Sequence, residues 1–88
     1  MIGRLIQPEV VELIEKREFL LLRELLIEWE TEDAAELISN LPESEQAIVF
    51  RLLPRDLAAE TFEYLDPEAQ KNLIRALLKE EVAELLND

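Results

Sequence analysis

A five-residue motif recurs at a constant step, and this repeat limits the possible folds more than any other feature of the chain. Residues 34–38 read Ala-Ala-Glu-Leu-Ile, and related segments begin at positions 10, 58 and 82, so that successive copies start 24 residues apart. A fixed period of this length is typical of short helical units that bury their apolar faces only by stacking on one another. The repeat therefore predicts a stacked helical array.

The apolar residues of each copy have the spacing of one helix face. In the second copy they recur every three or four residues, at Ala34, Leu37, Ile38 and Leu41. Such spacing predicts a buried stripe on a helix of 3.6 residues per turn. If Phe62 in the third copy is enclosed between units, its truncation to alanine is expected to cost about 3–5 kcal/mol. We also expect equivalent places for the repeat alanines, Ala35, Ala59 and Ala83.

Prolines and capping residues mark the expected helix boundaries. We expect helices to break within two or three residues of Thr31, Pro42, Pro54 and Pro67, because proline cannot continue a preceding helix but suits a first turn. Thr31 and Asp66 are candidate N-caps. A seventh helix is expected to begin near Lys79.

The first third of the chain has no proline after Pro8 and no glycine after Gly3. A charged run at residues 15–18 interrupts its apolar pattern, and we predict a joint between two helices near Lys16; the alternative is a single long helix to Trp29. Residues 19–29 are apolar on most sides and are expected to form the most enclosed helix. The predicted fold class is all-α: short helices in two-helix repeats, stacked as a superhelix, with residues 1–88 forming one domain that we interpret as part of a longer protein.

Composition excludes several classes of function. The chain has no cysteine or histidine and a single glycine, Gly3. Thiolate and imidazole chemistry, the usual zinc sites and glycine-rich phosphate loops are therefore not expected. An enzyme is not expected. No apolar run approaches the roughly 20 residues that cross a bilayer, so this chain is not expected to insert into a membrane.

The net charge of −12 arises from 21 acidic against 9 basic side chains. Nucleic acid and anionic lipid are disfavoured as partners, because both require a basic face. A basic protein surface or a hard metal ion held by carboxylates is favoured. The alternative is that the charge only keeps a small helical domain soluble and monomeric.

Three segments resemble a known family. They are residues 30–37 (Glu-Thr-Glu-Asp-Ala-Ala-Glu-Leu), residues 52–60, where Leu-Leu-Pro leads into Ala-Ala-Glu, and residues 65–68 (Leu-Asp-Pro-Glu). The pattern resembles the intracellular N-terminal domain of MgtE-type magnesium transporters, from about Pro8 to the end of the chain. The family usually has a proline where Thr31 stands.

The resemblance implies a right-handed helical superhelix on the cytoplasmic side of a magnesium channel, followed along the full chain by a pair of CBS motifs and a transmembrane pore. It implies that magnesium, bound weakly and shared between this acidic domain and the CBS domain, draws the two together and favours the closed pore. It also implies a homodimer of the full-length protein.

The resemblance also implies a metal-facing role for Glu60, which closes the Leu-Leu-Pro-x-x-x-Ala-Ala-Glu motif. Asp33 and Asp56 are weaker metal candidates, because helix-start aspartates are explained by the helix dipole alone. The alternative for Glu60 is a solvated position beside a buried face, since the other copies also carry glutamate there, at Glu12, Glu36 and Glu84.

Two other functions remain open. One is a protein-interaction module without a metal role, because the flagellar motor-switch protein FliG has similar short acidic helices with Ala-Ala-Glu and Leu-Asp-Pro segments. The other is an uncharacterised helical-repeat scaffold.

Overall fold

The computed structural model describes the backbone of residues 7–87 and the side chains of residues 7–79. These residues form α-helices and no strand. The helices are α1 (Gln7–Glu15), α2 (Phe19–Leu26), α3 (Thr31–Asn40), α4 (Glu43–Leu52), α5 (Arg55–Tyr64) and α6 (Pro67–Asn87). The all-α prediction is confirmed.

The helix breaks expected at the prolines are confirmed. Pro42 and Pro54 occupy the N-cap positions of α4 and α5, with nearly identical extended backbones (φ −58°, ψ 153° and φ −58°, ψ 150°). Pro67 is the first residue of α6, and the Ala69 amide donates to Oδ1 of Asp66 at 2.8 Å, so Asp66 is the predicted N-cap. Each proline lacks an N–H that a continuing helix would need, and so the chain turns there.

The joint between α1 and α2 lies where the sequence predicts it, beside Lys16. Arg17 has a positive φ of 59°. The amides of Arg17 and Glu18 donate to the carbonyls of Ile14 and Leu13 at 3.0 and 2.9 Å. This pair of bonds is the Schellman motif, which ends a helix with one left-handed residue, usually glycine. Here an arginine takes the left-handed conformation.

Two boundary predictions are wrong in detail. Thr31 is the first residue of α3, and the N-cap is Glu30, whose side chain makes no capping hydrogen bond. No helix begins near Lys79, because α6 continues through it to Asn87. Beyond Pro67 the chain has no further proline and no glycine to end the helix.

The prediction that residues 19–29 form the most enclosed helix is also wrong. Only Leu22 and Leu26 of α2 are buried. Leu20 keeps 78% of its surface exposed and Ile27 keeps 51%. The apolar residues of α2 cover more than one side of the helix, whereas α2 packs mainly on α1 and α4.

The packing follows a pattern of alternate helices. α4 packs against both α2 and α6, so that α2, α4 and α6 form one row, and α3 packs against α5. α1 rests on α2 and α4. In stacked two-helix units, each helix meets its counterpart in the next unit, and this arrangement therefore fits the predicted stacking.

Two glutamines at the same repeat position hydrogen-bond α4 and α6 to the C-terminal ends of the helices that precede them. Gln46 of α4 donates from Nε2 to the Leu41 carbonyl at 3.1 Å, and Gln70 of α6 donates to the Phe62 carbonyl at 2.7 Å. The last carbonyls of a helix have no partner within it. Gln46 supplies a donor to the carbonyl at the C-cap of α3, and Gln70 adds a second donor to the Phe62 carbonyl of α5, which also accepts from the Leu65 amide at 3.2 Å.

The repeat alanines share a place in their helices but differ in burial. Ala35 and Ala59 stand five residues into α3 and α5 respectively, yet Ala35 is buried and Ala59 is exposed. The side chain of Ala83 lies outside the described residues. Ala35 and Ala59 therefore occupy equivalent places along their helices, as predicted. Equivalent places do not lead to equal burial.

One core position carries a polar side chain where the other copies carry leucine. Thr61 is fully buried, and within residues 7–79 its Oγ1 has no hydrogen-bond partner. Leu13 and Leu37 occupy the matching positions of the first two copies. A buried hydroxyl without a partner loses its hydration and gains nothing in return.

We expect Thr61→Val to raise the free energy of unfolding by about 1 kcal/mol, because valine keeps the shape of threonine and removes the unpaired hydroxyl. Thr31→Val is the matched control, since the Thr31 hydroxyl is hydrogen-bonded, and it should not stabilise. Urea denaturation of both variants measures the difference. A loss of stability in Thr61→Val would show that the hydroxyl has a partner in solution.

Candidate functional site

The metal candidate Glu60 lies where α5 meets the beginning of α3. Its side chain is exposed, and the Thr31 hydroxyl donates to Glu60 Oε1 at 3.0 Å. Thr31 is the first residue of α3, followed in the first turn by Glu32 and Asp33. The carboxylate of Glu60 is therefore held at the positive end of a helix dipole that also attracts two carboxylates of its own helix.

The three predicted metal residues are brought together only in part. Asp56 is exposed and stands one turn before Glu60, so that both carboxylates share a face of α5. Asp33 is half-buried in the first turn of α3. Among the side chains of residues 7–79, no group of three or more acidic residues is arranged to hold a metal ion.

The oxygen atoms of this surface are of the type that magnesium prefers, but they are too few to fill its coordination shell. Glu60, Asp56 and the Thr31 hydroxyl offer hard oxygen atoms, which magnesium prefers, and magnesium commonly keeps several waters while it takes one or two carboxylates. An exposed face with so few carboxylates can contribute to a site shared with another surface. It does not form a closed site by itself.

The position of Glu60 in the repeat differs chemically from that of Glu12. In the first copy, Glu12 forms an ion pair of 2.9 Å with Lys16 one turn later. The hydrogen bond to Glu12 raises the pKa of Lys16 above its ordinary value. In the third copy the residue one turn after Glu60 is Tyr64, which carries no positive charge. The hydroxyl of Thr31 is instead the partner of the Glu60 carboxylate.

A second charged cluster joins α4 to α6, and no sequence pattern indicated it. Lys79 Nζ donates to Glu43 Oε1 at 2.9 Å, and Arg75 Nη1 lies 3.8 Å from Glu43 Oε2. The hydrogen bond from Lys79 lowers the pKa of Glu43 below its ordinary value. Glu43, Ser44, Ala76 and Lys79 line an open cavity of about 300 Å³ beside this cluster. The partners lie 36 residues apart, which is not a whole number of repeat steps.

A family model described as the MgtE intracellular N domain matches residues 29–88, more than half of the chain. The chain belongs to this family. Its membership agrees with the resemblance carried by residues 30–37, 52–60 and 65–68. The MgtE intracellular N domain is a regulatory part of a transporter on the cytoplasmic side, rather than a catalytic one.

The match to the MgtE domain includes both helices that carry the candidate carboxylates. It begins at Trp29, two residues before α3, and so α1 and α2 precede it. A search among curated proteins returned no match. Within the described residues, no helix combines the length and apolar character needed to span a bilayer.

Proposed function

We propose that this chain is the magnesium-sensing regulatory domain of an MgtE-type transporter and that it has no catalytic role of its own. The observation that carries the proposal is the Glu60 carboxylate, which is exposed on α5 and held at the beginning of α3 by Thr31. Membership of the MgtE family supports a role in a transporter. The excess of acidic side chains supports the binding of a divalent cation.

In this proposal magnesium acts as a bridge between two acidic surfaces. The net charge of −12 repels another acidic domain, and a divalent ion shared between their carboxylates reverses that repulsion locally. The partner is a CBS domain of the same full-length chain. Two full-length chains form a homodimer. Bound magnesium draws the domains together and favours the closed pore, whereas low magnesium releases them.

Such a sensor must bind weakly when its partner is missing. Glu60 and Asp56 provide part of a coordination shell, and the remaining ligands come from the CBS domain and from water. We expect the isolated chain to bind magnesium with millimolar or poorer affinity. Sodium at the same ionic strength will screen the charges of the chain without bridging them, and so it separates the two effects.

We expect Glu60→Gln to weaken magnesium-dependent compaction of a protein that contains this domain and its CBS partner. The magnesium concentration at half compaction should rise about tenfold or more, since even groups that only orient a metal ligand contribute about that much. Small-angle scattering at fixed ionic strength, with and without magnesium, measures the compaction.

Glu12→Gln is the matched control, because it removes the same charge from the same repeat position. Glu12 pairs with Lys16, and its removal should leave the response to magnesium unchanged. Equal effects of the two substitutions would show that Glu60 acts only through the net charge of the domain and is not a magnesium ligand. If the two-domain protein does not compact with magnesium, an interaction module without a metal role becomes the better account.

A further inference from the structure

The Glu60 carboxylate has two oxygen atoms, and the fold engages one of them. Oε1 accepts a hydrogen bond of 3.0 Å from the Thr31 hydroxyl. Among the side chains of residues 7–79, the Thr31 hydroxyl is the only hydrogen-bond or ion-pair partner of this carboxylate. Oε2 is therefore the oxygen that remains open to a ligand from outside the chain.

The negative charge of Glu60 is not neutralised by its own helix. The residues one turn before and one turn after it on α5, at positions 56, 57, 63 and 64, are acidic or uncharged. The Thr31 hydroxyl is neutral, and so it directs the carboxylate without cancelling its charge. A carboxylate that is both charged and oriented is suited to bind a cation.

The donor of this hydrogen bond has a fixed position on the neighbouring helix. Thr31 is the half-buried first residue of α3, and the Ala34 amide donates to the Glu30 carbonyl at 2.9 Å, which closes the first turn around it. Threonine branches at Cβ, and this restricts the rotation of its side chain. Because α3 packs against α5, the hydroxyl orients Glu60 from outside the helix of Glu60.

The number of oxygen atoms that a carboxylate offers distinguishes magnesium from calcium. Magnesium requires a nearly ideal octahedron of oxygens at about 2.0–2.1 Å, whereas calcium takes about six to eight oxygens at longer distances and often takes both from one carboxylate. The two oxygens of a carboxylate lie closer together than neighbouring corners of the magnesium octahedron. A carboxylate that offers one oxygen therefore suits magnesium and withholds a ligand from calcium.

We propose that Thr31 is a positioning residue that makes Glu60 a one-oxygen ligand and thereby favours magnesium over calcium. This inference rests on the proposed sensing function and adds to it the selectivity between two divalent ions. The Thr31 hydroxyl acts through Glu60, as the donor that holds Oε1. Without this donor the carboxylate can turn, and both of its oxygens become available to the larger ion.

Thr31→Val tests the proposal, because valine keeps the shape of threonine and removes the hydroxyl. A protein that contains this domain and its CBS partner is titrated with magnesium and, separately, with calcium at fixed ionic strength. Small-angle scattering gives the concentration of each ion at half compaction. The ratio of the calcium concentration to the magnesium concentration should fall about fivefold in Thr31→Val, the factor that a hydrogen bond of ordinary net strength provides.

Two control variants separate the hydroxyl from other effects of the substitution. Thr31→Ser keeps a hydroxyl and should keep the ratio of the unmodified protein. Thr61→Val makes the same change in α5 at a buried hydroxyl that has no partner within residues 7–79, and it should also leave the ratio unchanged. A merely structural role of Thr31 would weaken the response to both ions alike. Thermal melting without metal ions, followed by circular dichroism, verifies that each variant folds.

Three results would overturn the proposal, and they can be told apart. If Thr31→Val leaves the ratio unchanged while magnesium still compacts the protein, the positioning role is wrong and the sensing function stands. If Thr31→Ser lowers the ratio as much as Thr31→Val, the hydroxyl is not the cause of the selectivity. If magnesium does not compact the unmodified protein, the sensing function is wrong and the selectivity is lost with it.

Discussion

We expect Leu22→Ala to lower the free energy of unfolding by about 3–5 kcal/mol, the range observed for fully buried leucines whose removal leaves a cavity. Leu22 lies on the one side of α2 that is enclosed, and none of its surface is exposed. A domain of this size has a total stability of about 5–10 kcal/mol. The substitution should therefore shift the urea midpoint by a large fraction of its value.

Leu20→Ala is the control for this experiment, since it makes the same change two residues away on the same helix. Leu20 is exposed over 78% of its surface, and its truncation should alter stability by about 0.5 kcal/mol or less. Both variants should be measured at the same protein concentration. Equal losses would contradict the orientation of α2 in the structure.

We expect Phe62→Ala to cost about 2–3 kcal/mol, below the range for a fully enclosed phenylalanine. The structure leaves Phe62 half-buried against the core, which corrects the expectation that it is enclosed between units. Its ring meets that of Phe50 edge to face, with centroids 6.4 Å apart and planes inclined by 65°. Such a pair contributes about 0.5–1.5 kcal/mol beyond the burial of area.

The Phe50 contact makes this prediction testable in two parts. Phe50→Ala and the double variant complete a mutant cycle in urea denaturation, and the coupling energy should fall in the range of about 0.5–1.5 kcal/mol. Glu12→Ala, at an exposed position of the first copy, should change stability by about 0.5 kcal/mol or less. A loss for Phe62→Ala as small as that for Glu12→Ala would place Phe62 outside the core.

The sequence by itself determined the all-α class and the helix breaks at the prolines, because these depend on neighbouring residues. Pro42, Pro54 and Pro67 prevent a helix from continuing wherever they stand, and their effect could be predicted without knowing the fold. The charged run near Lys16 likewise marked the joint between α1 and α2. The segments at residues 30–37, 52–60 and 65–68 resembled the MgtE intracellular N domain, and the match of its family model to residues 29–88 confirmed the resemblance.

Only the tertiary structure decided which copy of each repeated position is buried and which carboxylates have partners. Ala35 and Ala59 each stand second in an Ala-Ala-Glu segment, yet Ala35 is buried and Ala59 is exposed. The bonds from Thr31 to Glu60 and from Lys79 to Glu43 join residues 29 and 36 positions apart. The repeat predicts which side chains of each unit can pack. Which of them are buried depends on the neighbouring units, and hence on contacts between residues distant in sequence.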